Sequence, residues 1–236
     1  MAGYMTKPKG ELAMQSPQGV LLDVDGTLVD SNDAHAHAWV KAMSENGYEV
    51  PFAKVRRLIG KGGDKLLPEA AGLSADSPSG QAISHRRGEI FRQEFLPSLE
   101  PFPAAADLLV RMKQSHLRLA VASSAKKDEL GDLLRICGAD QLIDAQTSSD
   151  DVENSKPDPD IIQSALEQLG LPPAQVILLG DTPYDVEAAL RAGVSVVALR
   201  CGGWADADLA GAAAIYDNPE DLLRRYANSP FCRSGG

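Results

Sequence analysis

The chain has 236 residues, 44% of them hydrophobic and 24% charged, and a formal net charge of −10. This is the composition of a soluble globular protein with one large domain, or one domain carrying a smaller insert. The surplus of negative charge repels phosphate backbones and argues against nucleic acid as a partner, while a small anionic substrate stays open if a metal or local cations reverse the field.

Residues 1–17 carry charges and no apolar core, so they read as a flexible tail and not as a signal peptide. The first strand is expected over 20–23, where an apolar run ends at Asp23. Asp25 follows one residue later and Gly26 permits a sharp bend after it. Strand alternation sends the two carboxylates apart unless the backbone bends. Two acids held close to one point are costly unless a cation or a reaction uses them.

From 34 to 99 no buried strand is expected. Helices are predicted over 34–46, 63–71 and 79–96, forming an all-helical insert. His35 and His37 read as surface or packing residues, with His35 turned toward a cleft as the alternative. Trp39 reads as core of the insert. The stretch Arg56-Arg57-Leu58-Ile59-Gly60-Lys61-Gly62-Gly63 is basic and glycine-rich but lacks the spacing of a P-loop.

Strand and helix then alternate. Helices are predicted over 104–114, 128–137 and 158–169, and strands over 117–123, 142–145, 176–181 and 195–200. Near-continuous apolar runs suit strands buried on both faces of a parallel sheet. The second long strand ends on Ser123-Ser124. Lys156 precedes Pro157 at the mouth of a helix. The strand ending at Leu179 leads into Gly180-Asp181-Thr182-Pro183-Tyr184-Asp185, where a spacing of four puts Asp181 and Asp185 on one face. Trp204, after Cys201-Gly202-Gly203, reads as part of a structural loop, and residues 228–236 as a frayed tail. The cysteines, Cys137, Cys201 and Cys232, are odd in number, far apart and without a CxxC pair, which argues against a disulfide framework or a zinc site and for a reducing cytoplasm. No apolar run reaches the roughly 18 residues of a membrane span, so no membrane partner is expected.

Asp-Val-Asp-Gly-Thr-Leu-Val-Asp-Ser, the strand-end Ser123, Lys156-Pro157-Asp158-Pro159 and Gly180-Asp181-Thr182-Pro183-Tyr184-Asp185 resemble, in order, the four motifs of the haloacid dehalogenase superfamily of phosphohydrolases. The resemblance implies an α/β fold, a doubly wound parallel-sheet (Rossmann-like) core with an inserted helical cap. The core would span 18–33 and 100–227, and the cap 34–99. It implies Asp23 as nucleophile forming an aspartyl-phosphate, and Asp25 as acid/base with a raised pKa. Ser123 and Lys156 would hold the phosphoryl group. Mg²⁺ would be held by Asp23, the backbone carbonyl of Asp25, Asp181 and Asp185. Arg57 and Lys61 of the cap, with Ser124, would meet the rest of the substrate. Keeping Asp25 favours phosphate chemistry over dehalogenation. The function implied is hydrolysis of a small phosphorylated metabolite, phosphoglycolate or a sugar phosphate, by a monomer or homodimer. The alternatives are a phosphosugar mutase like beta-phosphoglucomutase and a non-catalytic binding protein on the same fold.

Overall fold

A computed structural model describes residues 16–232. Most of the tail expected over 1–17, and the last four residues of the one expected over 228–236, lie outside the described residues. The described part of the second is not frayed. Phe231 is fully buried and its ring stacks on Tyr226 at 6.4 Å.

Six parallel strands form one sheet: β1 (Gly19–Leu22), β2 (Arg118–Ala122), β3 (Ala145–Thr147), β4 (Val176–Gly180), β5 (Ser195–Leu199) and β6 (Ala214–Tyr216). Their order is β3-β2-β1-β4-β5-β6. Leu22 pairs with Val121 of β2 on one side and Leu179 of β4 on the other. The chain therefore winds outward from β1 in one direction and from β4 in the other. The reversal between β1 and β4 opens a crevice at their carboxyl ends, the position where ligands bind in such sheets.

The apolar runs are buried on both faces, as their composition demands. Val20 and Leu22 belong to one hydrophobic cluster, with Leu108 and Leu109 of α5 (Ala105–Gln114), Leu130 and Leu133 of α6 (Lys127–Ile136) and Leu222 of α9 (Pro219–Arg224). Leu21 belongs to the other, with Ile161 and Ile162 of α7 (Asp160–Leu169) and Val186 and Ala189 of α8 (Pro183–Arg191). Alternation along one strand thus feeds two helical layers.

Between β1 and α5 run four helices: α1 (Asn32–Glu45), α2 (Phe52–Arg56), α3 (Gly63–Ala71) and α4 (Pro78–Ile90). Trp39 and Met43 of α1 share a buried cluster with Leu66 of α3 and Ile83 of α4. Ser77 caps α4, its hydroxyl accepting from Gly80 N–H at 3.0 Å, and Pro78 occupies the first turn. The single helix expected over 79–96 is interrupted. A π turn runs over Phe91–Phe95 and a 3₁₀ turn over Leu96–Ser98. Pro97 cannot continue the α-helical ladder, and π turns are frequent at functional sites. Phe91 opens that turn and stacks on His35 with ring centroids 4.0 Å apart.

Three short elements escape the sequence pattern, namely α2, β6 and α9. The strand expected over 142–145 begins only at Ala145, and Asp144 just before it holds to β2 twice, its N–H donating to Leu119 O at 2.8 Å and its side-chain Oδ2 accepting from Leu119 N–H at 2.8 Å.

Candidate active site

At the end of β1 the Asp23 N–H still donates to Leu179 O at 2.9 Å, so the strand ladder fixes this residue at the crevice. The chain then folds back on itself. Val24 O accepts from Leu28 N–H and Val29 N–H, and Gly26 takes a left-handed φ of 77°. A Cβ at Gly26 would lie 2.0 Å from Asn32 Nδ2 and 2.4 Å from Asp181 Oδ2, so both the conformation and the space require glycine.

The bend leaves Asp23 and Asp25 with separate partners. Asp23 Oδ1 meets Lys156 Nζ at 2.7 Å. Asp25 Oδ1 accepts from Ser31 Oγ at 2.5 Å and lies 2.8 Å from His35 Nε2. Ser31 stands at the N-cap of α1, yet its hydroxyl serves Asp25 and not the helix. His35 is therefore a site residue as well as a packing residue, as in the alternative that turned it toward the cleft. His37 does pack, on Phe52 at 4.4 Å.

Asp181 and Asp185 approach from the end of β4 and the start of α8. Asp181 is fully buried, accepts from Thr27 Oγ1 at 2.8 Å and Asn32 Nδ2 at 3.0 Å, and leaves no room for a side chain at Gly202. Asp185 Oδ2 closes a capping box, accepting from Thr182 N–H at 3.0 Å and Thr182 Oγ1 at 2.7 Å. Its other oxygen, Oδ1, lies 2.7 Å from Lys156 Nζ. Carboxylate oxygens of Asp23, Asp181 and Asp185 all lie within 4.8 Å of one another. The Asp25 side chain stands outside this cluster, because it faces Ser31 and His35.

The electrostatics follow from this packing. Burial, then the charges of Asp185 and Asp25, push Asp23 up to about 7 against the pull of Lys156. Burial, then Asp23 and Asp185, raise Asp181 well above the ordinary carboxylate range. Burial alone would lower Lys156, but Asp185 and Asp23 outweigh it and hold the ammonium charged. Burial also works to raise Asp25, yet the charge and hydrogen bond of His35, with Ser31 and a smaller pull from Arg87, keep it below its ordinary value. The raised pKa expected for an acid at this position is not found, and its neighbours are the reason. Fully ionised, three carboxylates against one ammonium would leave two negative charges unbalanced, and the raised Asp23 and Asp181 reflect that excess. A buried set of hard oxygen donors with that charge suits a small divalent cation such as Mg²⁺.

A cavity of about 50 Å³ opens on Asp23 and Asp25 and is lined by Ser123, Ser124, Gly60–Gly63, Trp39, Arg87 and Glu129. Ser123 is buried and its Oγ accepts from Ala125 N–H at 3.0 Å. Ser124 Oγ donates to Gly60 O at 3.0 Å, joining the sheet edge to the helical segment. Lys61 lines the cavity but its ammonium is 2.5 Å from Glu69 and 4.6 Å above the Tyr184 ring. Arg57 does not reach the cavity. It lies over Trp204 at 4.5 Å and 3.7 Å from Asp208, with its side chain 60% exposed. Arg57→Ala is therefore expected to change kcat/KM by less than about twofold, since an exposed ion pair is worth little. Steady-state kinetics on any turned-over ester checks this.

Thr27, Ser31, Asn32, Arg87 and Glu129 were not anticipated from the sequence. Ser31 could have been found from its place in the first motif, whereas Arg87 and Glu129 meet across 42 residues and carry no local signal. Arg87 Nη1 donates to Glu129 Oε2 at 2.7 Å, with both side chains nearly fully buried, and Arg87 Nε has no partner among the described residues.

The family model for haloacid dehalogenase-like hydrolases matches residues 20–199. The chain is 30% identical over 182 residues to validoxylamine A 7'-phosphate phosphatase of Streptomyces hygroscopicus, covering 76% of this chain and 84% of the relative. It is 32% identical over 213 residues to a phosphoglycolate phosphatase of Rhodospirillum rubrum, covering 86% and 88%. Among solved structures, a hydrolase from Pseudomonas syringae superposes with a TM-score of 0.82 at 27% identity, over 89% of this chain and 98% of that one.

Proposed function

This chain belongs to the haloacid dehalogenase-like hydrolases and is a phosphoric monoester hydrolase, and from that premise we propose that it cleaves a small phosphate monoester by way of an aspartyl-phosphate on Asp23, with Mg²⁺ as cofactor. The observation that carries this reading is the division of labour between two aspartates. Asp23 sits among Lys156, Asp181 and Asp185, whereas Asp25 is turned to Ser31 and His35.

Asp23 attacks phosphorus through a carboxylate oxygen, and the leaving oxygen departs toward Asp25. Asp25 gives that oxygen a proton and afterwards takes one from the attacking water. His35 Nε2, 2.8 Å from Asp25 Oδ1, hands Asp25 the proton that goes to the leaving oxygen and takes back the proton that Asp25 removes from water, which lets a carboxyl with a depressed pKa serve in both steps. Ser123, at the end of β2, donates to a phosphoryl oxygen, and Lys156 balances negative charge there. The helical segment 34–99 acts as a cap over the crevice and excludes water. Asp23, Asp181, Asp185 and the carbonyl of Asp25 would hold Mg²⁺, which when bound neutralises charge on the transferring phosphoryl group. The substrate is a phosphorylated metabolite of the size of phosphoglycolate or a sugar phosphate.

EDTA is expected to lower phosphate release by at least about a hundredfold. Added Mg²⁺ should restore it. Ca²⁺ should restore it poorly, because its larger, looser coordination shell disturbs in-line geometry. Full activity after exhaustive chelation would contradict the metal assignment. Stoichiometric release of free phosphate, with no isomerised sugar phosphate, separates hydrolysis from the mutase reaction.

A further inference from the structure

We propose that the ester's leaving group is uncharged and hydroxyl-bearing, as in a sugar or polyol monophosphate, and that the buried Arg87–Glu129 pair selects it. This rests on the phosphatase reading above and narrows it to a substrate class.

Beyond the phosphoryl site, the cations lining the cavity among the described residues are Lys61 and Arg87, apart from His35 beside Asp25. Both are already committed to carboxylates. Lys61 Nζ lies 2.5 Å from Glu69, and Arg87 Nη1 lies 2.7 Å from Glu129. A leaving group with its own carboxylate or second phosphate would find no free cation on this wall. It would instead meet the Glu129 carboxylate, which is 2% exposed and little screened. Capturing Arg87 from Glu129 would strand a buried carboxylate, and like charges at such a contact exclude the wrong ligand.

A hydroxyl has the opposite fit, because it both donates and accepts. It can donate to Glu129 and accept from the Arg87 Nε–H, which is buried and unpartnered among the described residues. Arg87 also lies 5.1 Å above the Trp39 ring, and Trp39 lines the same cavity. A flat apolar wall beside one donor and one acceptor suits a ring or chain that carries hydroxyls on a hydrocarbon frame. Glu129 comes from α6 of the sheet layer and Arg87 from α4 of the helical segment, so the pair bridges the two parts across the cavity.

The test is a kcat/KM panel with purified protein and Mg²⁺. Glucose and sorbitol monophosphates are compared with phosphoglycolate and fructose bisphosphate, and p-nitrophenyl phosphate serves as reference. The neutral hydroxylated esters should be preferred by at least about tenfold. Glu129→Gln removes the negative charge at nearly constant shape and frees Arg87. It should raise phosphoglycolate about tenfold relative to sorbitol monophosphate. Equal or better turnover of the anionic esters by the wild-type protein, with p-nitrophenyl phosphate also hydrolysed, would overturn the leaving-group assignment and leave the phosphatase reading standing. Inactivity on every ester, the reference included, would overturn both. Should Glu129→Gln not fold, the wild-type panel alone decides.

Discussion

Asp23→Asn is expected to lower kcat/KM on any substrate by at least about 10⁴-fold, the scale seen when a covalent nucleophile is removed. The amide keeps the shape of the carboxylate, but it is a poor nucleophile and cannot form the acyl phosphate. The same change should leave the fold intact. Asp23 is buried and held at about 7 by burial and by its acidic neighbours, so its charge is a burden on the folded state above that pH. Relieving it should leave thermal stability in metal-free buffer at pH 8 unchanged or higher. Lys156 keeps Asp185 as a partner at 2.7 Å, so no buried cation is stranded. Phosphate release and a melting curve measure the two effects separately. An inactive variant that is also unfolded would leave activity uninformative, whereas an active variant would contradict the role.

Lys156→Ala is the second large effect, and here stability and activity should fall together. The ammonium is the cation held between Asp23 Oδ1 and Asp185 Oδ1, at 2.7 Å from each, and it is 1% exposed. Removing one member of a buried ion pair leaves an uncompensated charge and costs about 3–5 kcal/mol. Mg²⁺ should recover part of this by occupying the acidic cluster, so the loss in melting temperature should be larger with EDTA than with the metal. Activity should fall by about 10²–10³-fold on metabolite esters and on p-nitrophenyl phosphate alike, because the proposed role of Lys156 is on the phosphoryl group that both share. A wild-type melting temperature in EDTA would show that the ammonium does not balance this cluster.

The sheet was legible because β1, β2, β4 and β5 are near-continuous apolar runs, and three of them, β1, β2 and β4, end in a polar motif. Asp23, Ser123 and Asp181 were read at strand ends, and the strand order brings them to the crevice between β1 and β4 and beside it. The edge strand β6 and the helices α2 and α9 are too short to show a period. What the sequence could not reveal was pairing across the fold. Whether Arg57 or Arg87 reaches the cavity depends on how α2 and α4 pack, and within Arg56-Arg57 or Arg86-Arg87 the two residues look alike until that is known. The depressed pKa of Asp25 was likewise illegible, since it arises from His35, ten residues away and turned inward by stacking on Phe91.

In the proposed reaction the phosphoryl group is carried by Asp23. This is tested most directly by a crystal structure of the protein grown with Mg²⁺ and BeF₃⁻, which mimics an acyl phosphate. Beryllium should be bonded to a carboxylate oxygen of Asp23, its fluorides facing Ser123 and Lys156, with none bound in crystals of Asp23→Asn. Beryllium on Asp25, Ser123 or any other residue, or full occupancy in the Asp23→Asn protein, would contradict it.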